Sequence, residues 1–131
     1  MPRALFAVLV IAGLAAMSLQ APTLAHHTFV TKYDSNKLVT VSGTIASVSY
    51  VNPHIFFEVS GTTKSGGTST WRIETEGILA ARAKGLTEAV LKDGARVTVT
   101  GWLGRDNPGE IGLKSITFAG GRTISMRKTA R

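Results

Sequence analysis

Three histidines have the side chains best suited to chemistry in this sequence, and all three stand at marked positions. His26 and His27 are adjacent, and His54 follows the dipeptide Asn52-Pro53. Imidazole is a ligand for copper, zinc and nickel, and a histidine at a free N-terminus adds its own amine to make a compact chelate. If His26 were the first residue of a processed chain and His54 were brought close, the three would resemble the histidine brace of copper proteins. The competing structural reading has His26 and His27 in a frayed terminus and His54 orienting the turn through backbone hydrogen bonds.

Other residue types narrow the chemistry. The chain has no cysteine, which excludes disulfides, thiolate metal sites and a cysteine nucleophile. No nucleophile elbow, phosphate loop or His-Glu-x-x-His motif occurs, so a non-enzymatic protein is expected. Glu74 and Glu76 lie two apart on an expected strand face with Arg72, where solvation or pairing with Arg72 is the ordinary outcome. Acid or base chemistry by Glu74 would need it held in a concave, buried site. Trp71, Trp102, Tyr50, Phe56 and Phe57 could form a stacking platform, although aromatics at strand spacing more commonly fill a core.

Whether His26 carries a free amine depends on the N-terminal segment. Met1-Pro2-Arg3 is a short cationic start, residues 4–17 carry no charge, and residues 18–25 are more polar and end in small side chains. This order is that of a secretory signal peptide. The uncharged run is shorter than the roughly 20 apolar residues a membrane-spanning helix needs, so cleavage and no permanent anchor are expected. Thr23-Leu24-Ala25 places small residues where signal peptidase requires them. A cut after Ala21 would put Pro22 first, so residues 1–25 are taken as the signal and 26–131 as one mature domain. The chain is therefore expected to be exported.

The formal charge of the whole chain is +7, and removal of Arg3 with the leader lowers it to +6. A basic exported domain attracts anionic lipid or acidic polysaccharide, and an exported protein rarely meets nucleic acid. Arg122, Arg127, Lys128 and Arg131 fall in the last ten residues and read as a solvated basic tail.

The elements that must position these groups are mostly strands. Residues 27–37 read as a lead-in ending in a turn at Tyr33-Asp34-Ser35-Asn36. Residues 37–51 alternate, with Val39, Val41, Gly43 and Ile45 on one side, and Gly43 suggests a bulge or bend. Asn52-Pro53 breaks this strand. Strands at 54–60 and 68–75 make a hairpin, the latter with Trp71 and Ile73 on one face and Arg72 and Glu74 on the other. Residues 76–91 change to helical spacing, interrupted at Gly85 with a second start at Thr87-Glu88. Strands at 95–103 and 111–119 follow, with a short sixth at 122–126. This order predicts a mainly β, five- to six-stranded OB-like barrel with one interrupted helix between strands 3 and 4.

Particular segments are also familiar together: Ala25-His26-His27-Thr28-Phe29, Tyr33-Asp34, Val41-Ser42-Gly43-Thr44-Ile45, Val51-Asn52-Pro53-His54, Trp71-Arg72-Ile73-Glu74 and Val97-Thr98-Val99-Thr100-Gly101. They resemble the family of small exported bacterial proteins called domain of unknown function 6152. Thr28 stands where that family commonly has Ser. The resemblance implies a periplasmic setting in a Gram-negative cell and a compact β-rich fold, and it implies no activity. It singles out His26, His27, Asn52, Pro53, His54, Trp71 and Glu74. The leading expectation is therefore a periplasmic binding module taking copper or another late transition metal through His26, His27 and His54. The alternative is an envelope-interaction protein that uses its basic surface on anionic lipid or polysaccharide without metal.

Overall fold

The computed structural model describes residues 29–51 and 53–126. The proposed leader, His26, His27, Asn52 and residues 127–131 of the basic tail lie outside the described residues. Helical residues 29–32 run directly into β1 (Tyr33–Val51). β2 (His54–Thr63), β3 (Thr68–Gly77), α1 (Ile78–Ala83), β4 (Arg96–Gly104), β5 (Glu110–Phe118) and β6 (Thr123–Ser125) follow.

The fold is mainly β, with all six strands in one sheet in the order β3-β2-β1-β4-β5-β6. The neighbours in that order are antiparallel, as the short turns between β2 and β3 and between β5 and β6 require. One further pairing is parallel: Arg72, Ile73 and Glu74 of β3 lie beside Glu110, Ile111 and Gly112 of β5. Strand pairings therefore run in a circuit from β1 through β2, β3, β5 and β4 back to β1. Alternate residues from these strands fill the interior, among them Val41, Ile45, Phe57, Val59, Ile73, Val99, Leu113 and Ile116, all essentially without solvent exposure. Leu86 and Leu91 from the α1–β4 connection join the same core.

Three local expectations are corrected. The first strand begins at Tyr33, not 37, and the Asp34–Asn36 turn survives inside it as a local kink: the Asn36 amide donates to Asp34 Oδ1 at 3.0 Å, and pairing with β4 is irregular between Tyr33 and Leu38. Gly43 is not a bulge. It pairs regularly with Gly61 and Val97, and the register slips later, between Ile45 and Ser47. Glycine is needed at 43 because strands cross closely there: a Cβ would sit 2.1 Å from the Ser60 carbonyl oxygen. The helical segment is one short helix after β3. Gly85, at φ +98°, ends it, and residues beyond Thr87 form only hydrogen-bonded turns in place of a second helical piece.

A second, smaller apolar cluster lies on the outside of the sheet. Phe29, Tyr33 and Trp102 pack there, with Phe29 and Tyr33 ring centroids 4.5 Å apart and Phe29 edge-on to Trp102 at 6.3 Å. They rest over Gly112, which faces Trp102 across the β4–β5 pair and Glu74 across the β3–β5 pair. A Cβ on Gly112 would come within 2.5 Å of Phe29 Cζ and 2.9 Å of the Tyr33 ring, so the gap left by this glycine is what the segment fills. Among the described residues, no helix is long and apolar enough to cross a membrane.

Candidate functional site

The outer cluster covers one carboxylate. Glu74 points to the outer face, as the alternation of β3 requires, but it is buried, with 7% exposure. The expectation that it is solvated or paired with Arg72 is overturned because the chain entering β1 lies across it. Glu74 Oε2 accepts hydrogen bonds from Tyr33 Oη at 2.5 Å and Lys32 Nζ at 2.7 Å. Its other oxygen, Oε1, lies 2.6 Å from Nδ1 of His54.

A local irregularity sets up that last contact. Phe56 faces Glu74, whereas His54 faces Gly77, so Thr75 and Glu76 together stand against Ile55. The buried Thr75 hydroxyl accepts the Ile55 amide at 3.3 Å, replacing the ladder bond lost at the bulge. Pro53 anchors the adjoining turn, its carbonyl accepting the Ile78 amide at 3.0 Å. His54 is thereby placed at the strand start, diagonal to Glu74, with its ring stacked 6.4 Å from Phe56.

Burial alone would raise the pKa of Glu74. The hydrogen bonds from Lys32, Tyr33 and His54, with the Lys32 charge, outweigh it and hold the carboxyl below its ordinary range. The same contact acts oppositely on its partners. Burial, reinforced by the bond to Glu74, pushes the Tyr33 phenol far above its ordinary range. Desolvation would lower Lys32, but its bonds to Glu74 and Glu110 prevail and raise it. Lys32 bridges the two acids, lying 3.1 Å from Glu110 Oε2. Arg72 lies 3.7 Å from Glu110 Oε1 and 4.3 Å from the Phe56 ring centroid.

An ionised carboxylate oxygen at 2.6 Å requires a hydrogen on Nδ1 of His54. In the neutral ring the lone pair is then on Nε2. Among the described residues Nε2 has no partner. An imidazole held through one nitrogen by a carboxylate, with the other presented as a base, is the arrangement in which histidine binds metal. One histidine is not a site: the described residues contain no group of three metal-ligating side chains. His26 and His27 would have to complete it.

Of the remaining sequence candidates, Trp71 packs partly buried against the core opposite Val59, and its indole N–H has no hydrogen-bond partner among the described residues. Glu76 is ion-paired with Lys84, away from Glu74. The aromatics do not form one platform: Phe57 is interior, Tyr50 and Trp71 pack against the same core, Trp102 belongs to the outer cluster, and Phe56 faces outward beside His54. The structure adds Lys32, Tyr33 and Glu110 to the site. Tyr33 is signalled in the sequence by Tyr33-Asp34, one of the segments that carry the family resemblance. Nothing local marks Lys32 or Glu110: Lys32 reaches Glu74 from the segment that docks on the sheet, and Glu110 is set beside Arg72 by the parallel β3–β5 contact.

No curated protein matches the chain. The model of a family of unknown function, DUF6152, matches residues 13–114, a span that contains the His26-His27 pair, the Asn52-Pro53-His54 turn, Trp71 and Glu74, and the chain belongs to that family.

Proposed function

We propose that this protein is a periplasmic, non-enzymatic binding module for copper or another late transition metal, with His26, His27 and His54 as ligands. The observation that carries this reading is the 2.6 Å contact between Glu74 Oε1 and His54 Nδ1, which directs Nε2 away from the carboxylate as a metal-binding base. The docked segment supports it. Lys32 and Tyr33 bind the same carboxylate as His54, and only Thr28 separates His27 from Phe29 of the outer cluster. Each residue of extended chain spans at most about 3.6 Å, so in this reading His26 and His27 are within a few residues' reach of the cluster.

The circuit β1-β2-β3-β5-β4 with a helix after β3 supports reading the fold as an OB-like barrel. His54, Phe56, Arg72 and Glu74 then lie on the β2–β3 face that such barrels commonly use for ligands. Glu74 fits a positioning role better than a proton-transfer role, since three donors hold it ionised.

The test is titration of the processed protein, beginning at His26, with Cu(II) and Zn(II). Tight binding of one ion per chain is expected, lost in His54→Ala and sharply weakened when a single Gly precedes His26. Absence of tight binding by either ion to correctly processed protein rejects the proposal.

A further inference from the structure

A second region of the surface has a different chemistry. At the end of the sheet away from the β3–β5 contact, an open groove of about 710 Å³ runs over β1, β4 and β5. Its floor carries hydroxyls in one rank across the strands, Ser42 facing Thr98 and Thr98 facing Thr117, and the rank continues past the groove to Thr123. Neighbouring strands are spaced about 4.8 Å apart. The hydroxyls are tied in pairs, Ser42 to Thr98 at 2.9 Å and Thr117 to Thr123 at 2.9 Å. Each hydroxyl has one donor and two acceptor sites, so these bonds orient the rank and leave capacity for a ligand.

Arg96 lines the same groove, beside Thr44, and no carboxylate does. Among the described residues Arg96 has no acidic partner, unlike Arg72, Arg82 and Arg105. Phe118 borders the groove with its ring packed against the core, on the Val97 side of the sheet. The groove thus offers a fork for a carboxylate and a row of adaptable polar groups. The large exposed aliphatic side chains that would enter a bilayer, Val30, Leu38, Val51 and Leu79, do not line it.

We propose that this groove binds an acidic glycan, with Arg96 taking a sugar carboxylate and the Ser42–Thr98–Thr117 rank taking ring hydroxyls. Guanidinium matches a carboxylate with two parallel hydrogen bonds, and a rank of hydroxyls suits a polymer whose own groups are mostly hydroxyls. The site is independent of His54 and of any metal.

The experiment measures binding of an oligogalacturonate to the full processed chain, with its methyl ester and phosphatidylglycerol-containing vesicles as comparisons. The acid form should bind in a salt-sensitive manner and the ester about tenfold more weakly, as loss of a charge-assisted pair requires. Arg96→Gln should cost about tenfold, and Thr98→Val, which preserves side-chain shape on the strand, should weaken binding severalfold with unfolding temperature retained. His54→Ala should bind as the parent does. The proposal fails if the acid oligosaccharide does not bind. It also fails if Arg96→Gln and Thr98→Val bind like the parent, if the ester binds equally well, or if vesicles are bound in preference to the sugar.

Discussion

Gly112 and Phe29 are matched in shape: the space a methyl group on Gly112 would take, 2.5 Å from Phe29 Cζ, is the space the ring occupies. Gly112→Ala should therefore push Phe29 and Tyr33 off the sheet without disturbing the interior, which lies on the other side of β5. Overpacking of this kind costs about 1–3 kcal/mol. Urea unfolding should register that loss, and near-ultraviolet circular dichroism should report the altered environment of Tyr33 and Trp102. A fully stable Gly112→Ala variant with an unchanged aromatic spectrum would contradict the docking described above.

The Lys32–Glu74–Tyr33 contacts make stability depend on pH from both sides. Glu74 has its carboxyl pKa lowered in the folded chain, so its contribution is complete above the ordinary value of 4.5 and is lost as pH falls through the folded value. Tyr33 and Lys32 are raised above ordinary values of 10.0 and 10.5, so their contributions are complete below pH 10 and are lost as pH rises further. For the fully buried Tyr33 the slope is about 1.4 kcal/mol per pH unit once the unfolded phenol ionises. Tyr33→Phe should cost about 1.5–3 kcal/mol at neutral pH, the worth of one hydrogen bond to a charged group, and should flatten the alkaline limb. Denaturant midpoints between pH 3 and 11 for parent and variant provide the measurement. An unchanged alkaline slope in Tyr33→Phe would refute the assignment.

Much of this architecture is legible in residue order, and the site is legible only in part. The strands at 54–60, 68–75, 95–103 and 111–119 follow from two-residue alternation between turn residues, and alternation also puts Glu74 on the outer face. Alternation cannot say whether an outer face is covered. Glu74 is buried because residues 29–33, remote in sequence, lie on it, and they can do so because Gly112 is bare and β3 pairs with β5. Those two facts join positions about forty and about eighty residues apart, beyond the range of any local pattern. The same limit explains Gly43, where a glycine inside a strand signals either a bulge or a close crossing, and only the position of Ser60 decides. His54 stands out beside Asn52-Pro53 and Glu74 through the family resemblance, but nothing in the sequence pairs them, since the bulge at Thr75-Glu76 is what brings them within reach.

The proposed metal reading places a specific demand on that partner. Glu74→Gln keeps an oxygen able to accept the hydrogen on Nδ1 of His54, but removes the charge that fixes the ring's tautomer and orientation. Loss of such an outer partner typically weakens metal binding 10- to 100-fold, so Cu(II) affinity in Glu74→Gln should fall by about that factor while one-to-one stoichiometry is retained. Protons compete with metal for Nε2, so affinity should also decline as pH falls in both proteins. A merely structural Glu74 would instead lower the unfolding temperature and leave the affinity of the folded fraction unchanged. Competition titration with a copper chelator, run beside thermal unfolding of the metal-free chains, separates the two outcomes.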